Sequence, residues 1–124
     1  MIISRTLSVL LATFFLLFAR PAAAAAYLSA VNDLPLMTGL NEALGQGVVF
    51  DVPQGRIVQA YASGPVSRAA VESFYAATLP QLGWRPAGPM RFNREGEQLA
   101  LEITETGATS VTVLFILKPA PKSP

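Results

Sequence analysis

Residues 67–84 carry the pattern that most constrains this chain: one amphipathic helix with a marked start and a marked stop. Ser67 is a good N-cap, because its hydroxyl can accept from the N–H groups that a first helical turn leaves free. Val71, Phe74, Tyr75, Thr78, Leu79 and Leu82 then recur at the spacing of one helical face, while Arg68, Glu72, Ser73 and Gln81 fall outside it. Such a face must be buried against another layer. At about 1.5–3 kcal/mol per large apolar side chain, Phe74, Leu79 and Leu82 supply a sum comparable with the net stability of a small domain. Phe74→Ala is therefore expected to unfold the protein or nearly so. Pro80 disfavours helical geometry at Leu79 and lacks a donor, so the helix bends or ends there. Gly83 is placed as a C′ residue, with Trp84 able to fold back on the last turn.

The segments around this helix read as strands. Residues 48–52 form a β-rich run ending at Pro53, and Pro53-Gln54-Gly55 is a turn leading into residues 56–63. After Trp84, residues 90–93, 99–104 and 111–117 read as antiparallel strands. Arg94-Glu95-Gly96-Glu97 and Glu105-Thr106-Gly107-Ala108 join them, each with glycine where a hairpin wants positive φ. The expected order is ββαβββ, an α+β domain with one helix packed on an antiparallel sheet of about five strands.

Residues 1–26 read as a signal peptide: a basic start at Arg5, an apolar run over residues 6–19, and small residues at 22–26. The run is shorter than the roughly 17–25 residues of a spanning helix, so cleavage is expected, with a periplasmic or secreted product. Residues 27–47 form an extended arm punctuated by Gly and Pro, with a helical turn expected at 41–44. Residues 48–118 form the single domain, and residues 119–124 a disordered, proline-rich tail.

The chain holds neither cysteine nor histidine. Disulfides and a lipid-bearing cysteine are thereby excluded, and zinc and copper lose their preferred ligands. No cofactor or metal is expected. Without residues 1–26, Arg5 and Arg20 leave the count of nine Lys and Arg, so seven basic residues face eight acidic ones. That balance offers no basic field for nucleic acid or anionic lipid.

Leu114 and Ile116 are the first candidates for a functional surface. Val111, Val113, Phe115 and Leu117 fill one face of their strand, and these two make the other face apolar as well. The arm or neighbouring strands could cover them; otherwise they face a partner or an apolar ligand. Arg91, Arg94, Glu95 and Glu97 cluster around one hairpin, either as a solvated tip or as a recognition site. Tyr61 and Tyr75 could present hydroxyls at the rim of the layers, though Tyr75, like Trp84, stands where core packing is the commoner role. No catalytic constellation emerges. Glu102 alternates toward solvent, Gly45 and Gly47 precede a strand, and Ser63, Ser67 and Ser110 have only Lys118 and Lys122 as basic partners.

Asp33-Leu34-Pro35-Leu36 with Gly39, Ala60-Tyr61-Ala62-Ser63, Val71-Glu72-Ser73-Phe74-Tyr75, Leu79-Pro80, Leu82-Gly83-Trp84 and Phe92 together resemble a loose group of small exported bacterial proteins of uncharacterised role. Their shared pattern is a D-x-P arm, a strand, a helix ending F-Y-x-x-x-L-P-x-x-G-W, and three strands. The resemblance implies architecture and export and carries no catalytic residue with it. The function expected is a non-enzymatic periplasmic protein-interaction or envelope-associated domain, acting with a protein partner or as a weak homo-oligomer. A small carrier of an apolar or amphipathic ligand and an exported peptidase inhibitor are the alternatives.

Overall fold

The computed structural model describes residues 26–121. The expected signal peptide, save Ala26, and residues 122–124 lie outside the described residues. The chain forms β1 (Asn41–Glu42), β2 (Val48–Val52), β3 (Gly55–Gly64), α1 (Arg68–Thr78), a 3₁₀ turn (Leu79–Leu82), β4 (Arg85–Gly88), β5 (Arg91–Arg94), β6 (Glu97–Gly107) and β7 (Ser110–Pro119). All the strands belong to one antiparallel sheet in the order β1-β3-β7-β6-β5-β4, with β2 also paired to β3.

The architecture is the expected α+β one, but the sheet has 7 strands rather than about five. Both additions come from segments that look like breakers in sequence. β2 covers β3 only from Gly55 to Gln59, and the arm supplies Asn41 and Glu42 opposite Ser63 and Ala62, satisfying backbone groups farther along that edge. A short strand thus stands where a helical turn was expected. β4 contains Pro86, which is tolerable because β4 is the edge strand and pairs only with β5.

Ser67 caps α1 by accepting the Ala70 N–H at 3.1 Å. The α-helix gives way to the 3₁₀ turn at Leu79-Pro80, and Gly83 closes it at φ 89°, with the Trp84 N–H donating to the Leu79 carbonyl. Val71, Tyr75 and Leu79 are fully buried, whereas Phe74 is half-buried and Leu82 is 39% exposed. The change from about 3.6 to 3.0 residues per turn takes Leu82 off the face that helical spacing assigns it. Phe74 is consequently not the main anchor. It packs edge-on against Tyr75, which in turn meets Phe115 edge-on.

One core fills one side of the sheet. Val58, Ala60 and Ala62 from β3, Leu99, Leu101 and Ile103 from β6, and Val111, Val113, Phe115 and Leu117 from β7 all point into it. Leu28, Val31, Leu34 and Leu40 of the arm join the same cluster, so the arm and α1 share a layer. Glu95 (φ 51°) and Gly96 (φ 78°) make the two-residue β5–β6 turn that the sequence suggests. The β6–β7 turn differs: a bulge between Glu105 and Gly107 moves its tip to Ala108-Thr109, and Gly107 is not at positive φ. At the C-terminus Pro119 belongs to β7 and the Ala120 N–H donates to the Gly96 carbonyl at 2.8 Å, so the first part of the expected disordered tail is held in place.

Candidate interaction surface

Alternation along the strands decides what lies opposite the core. With Val113 and Phe115 inward, Leu114 and Ile116 point to the other face of β7. The register places Ile116 in a row with Val48, Gln59, Ala100 and Arg91, and Leu114 beside Tyr61 and Glu102. Phe50 stands opposite Ile57 in the same face. Not one of these side chains is fully buried. The arm, a candidate cover for Leu114 and Ile116, lies with α1 on the opposite side of the sheet; among the described residues only flanking strands shield them.

This open face carries apolar side chains on β2, β3 and β7, interrupted by Gln59 between Val48 and Ile116, and becomes charged toward β6 and β5, where Glu102 and Arg91 are exposed. At one end it runs into an open cleft of about 760 Å³, lined by Val52, Gln54, Ile57, Gly96 and residues 118–121. Tyr61 is half-buried in the face, whereas Tyr75 is deep in the core.

The structure separates the two candidate arginines. Arg91 faces outward with Ala100, whereas Arg94 falls on the core side and is already engaged. Its guanidinium lies 4.2 Å from the centroid of the Trp84 ring, contacts the Asp33 carboxylate at 2.7 Å and donates to the Leu82 carbonyl at 3.0 Å. The Arg94 hydrogen bond lowers the pKa of Asp33 below its ordinary value. Arg94 thus ties the arm and the 3₁₀ turn to the sheet. Trp84 is buried beneath it, and its indole N–H has no partner among the described residues. Glu97 bridges to Arg56 at 3.2 Å, and Glu95 of that hairpin turn is exposed with no ion-pair partner among the described residues.

Among the described residues no group of three or more His, Cys, Asp or Glu side chains is placed to hold a metal ion. Ser67 is committed to the helix cap, and Ser110 Oγ lies 3.2 Å from Thr106 Oγ1. No helix among the described residues is long and apolar enough to cross a membrane.

Sequence reasoning missed the exposure of β2. Val48, Val49 and Phe50 are 46%, 59% and 47% exposed, with Leu44 just before them at 74%. Val48-Val49-Phe50 reads as strand from its residue types, and only its place at the sheet edge shows that it is exposed. Comparison with known protein families, curated proteins and solved structures returns no match.

Proposed function

We propose that this chain is a non-enzymatic protein-interaction domain of the bacterial periplasm or envelope, exported by residues 1–26, that engages protein through the open face of its sheet. The observation that carries this reading is the group of Leu114, Ile116, Tyr61, Ile57, Phe50 and Val48 on one face of the sheet, which no layer among the described residues covers. A two-layer domain normally leaves the solvent side of its sheet polar, and a connected apolar area with a charged margin suits partner contact. The missing histidine and cysteine and the committed serines support a role without catalysis.

The test is purification from periplasm with mass spectrometry of what accompanies the protein. A defined protein partner, lost in Leu114→Glu although the variant still melts as a folded protein, is the expected result. A partner that survives Leu114→Glu and Ile116→Lys would place the contact elsewhere.

A second reading rests on the cleft of about 760 Å³ beside Ile57, Val52 and Pro119, which is large enough for a small apolar or amphipathic ligand. It predicts a small molecule released on denaturation and lost in Ile57→Arg.

A further inference from the structure

The sheet ends in two edges of opposite character. At one, β4 carries Pro86 and a register break between Pro86 and Gly88, and Pro89 follows it, all of which blunt strand addition. At the other, β2 pairs with β3 residue by residue from Val48 to Val52 without a break. β2 holds no proline, lysine or arginine, and no strand among the described residues pairs with its outer side. Alternate residues of an antiparallel edge strand direct their N–H and C=O groups away from the sheet, so β2 offers a regular ladder with apolar side chains on both faces.

We infer that β2 pairs with β2 of a second copy, antiparallel, about a two-fold axis at Phe50. This deepens the interaction reading above, and rests on it, by naming the partner.

The sequence of the strand suits self-pairing and sets its register. With the axis at Phe50, Phe50 meets its own counterpart, Val48 meets Val52, and Val49 meets Asp51. Asp51 is the only charge in the strand, and in this register it never faces itself, whereas an axis at Asp51 would set two carboxylates opposite each other. The register also uses the full length of β2. Residues 43–55 contain no Lys or Arg, so nothing there attracts an anionic surface. Side chains directly opposite in such a ladder share a face, so the two open faces join on the same side. The Phe50 pair then sits between the two Leu114 and Ile116 patches.

Because the chain has no cysteine, single substitutions report the register directly. In the purified protein, Phe50→Cys should give disulfide-linked dimers on mild oxidation. A mixture of Val48→Cys and Val52→Cys should cross-link between the two variants in preference to within either. By light scattering the unmodified protein should rise toward a twofold mass with concentration, while Phe50→Lys and Val49→Lys stay monomeric with unchanged melts. Equal cross-linking through Leu114→Cys would overturn the β2 register. A protein that stays monomeric at every concentration would overturn the inference outright. In that case, loss of a periplasmic partner in Leu114→Glu would leave the interaction reading standing, and absence of any partner would remove both. Binding to neutral phospholipid vesicles that disappears in Phe50→Lys, without dimerisation, would assign the edge to lipid and overturn self-pairing.

Discussion

The Tyr75 hydroxyl donates a 2.8 Å hydrogen bond to the Pro35 carbonyl and accepts one at 3.2 Å from the Met37 N–H. A helix side chain thus does for this stretch of the arm what a neighbouring strand would do, giving partners to backbone groups beside Leu34 and Leu36. The arm is held at three points: at Tyr75, at Arg94 through Asp33, and at β3 through Asn41 and Glu42.

Tyr75→Phe keeps the ring packing against Phe74 and Phe115 but leaves the Pro35 carbonyl and the Met37 N–H without partners. The expected loss is about 1–3 kcal/mol. Urea unfolding would measure it, and amide exchange should quicken first in residues 28–40.

Burial raises the Tyr75 pKa from its ordinary 10.0 to about 12. The unfolded chain releases this proton first, so the stability Tyr75 contributes is complete below pH 10.0 and declines as pH rises toward about 12. Phenolate absorbance should show one of the 3 tyrosines ionising with unfolding, and Tyr75→Phe should lose that component.

Arg94 and Asp33 should differ in cost although they pair with each other. Arg94 is 18% exposed and also lies over Trp84, so Arg94→Ala should cost about 1–2 kcal/mol. Asp33 is 56% exposed and screened by solvent, so Asp33→Asn should stay within about 0.5 kcal/mol. Because Arg94 lowers the Asp33 pKa, the contribution of the pair is present above the ordinary carboxylate pKa of 3.8 and fades as pH falls through the lowered value. That acid dependence should vanish in Arg94→Ala, as read from thermal melts across acidic pH.

Adjacent residues of β7 should behave oppositely. Phe115→Ala, in the core, should cost about 3–5 kcal/mol. Leu114→Ser, on the open face, should cost about 1 kcal/mol or less while weakening partner binding. Paired melting and capture experiments separate the two effects.

A side chain at Gly64 would overlap the Gly39 carbonyl oxygen, where the arm crosses the end of β3. Gly64→Ala should therefore destabilise by at least about 1–3 kcal/mol. Gly45→Ala, with open space around it, is the matched control and should melt like the parent.

Local chemistry made α1 legible. Ser67, Pro80, Gly83 and Trp84 each act within a turn of themselves, and the structure places the cap, the 3₁₀ turn and the left-handed glycine where those residues stand. The hairpin of residues 48–52 and 56–63 followed from a β-rich run and the Pro53-Gln54-Gly55 turn, and the alternation of β6 and β7 from the two-residue repeat of a strand. The candidate surface was half legible for the same reason: alternation puts Leu114 and Ile116 on a second face but does not say what covers it.

By itself, then, the sequence determined one capped helix, the strands on either side of it, an α+β class, and a chain without thiol or imidazole. Each of these depends on residues close together or on composition alone. Only the tertiary structure decided that the arm packs beside α1, that Arg91 and Arg94 face opposite ways with Arg94 taken up by Trp84 and Asp33, and that β2 ends the sheet with its apolar side chains in solvent. Those outcomes depend on which strands pair on each side of β3 and which side of the sheet the core claims. Such long-range choices are made when the layers assemble, and no local run of residues contains them.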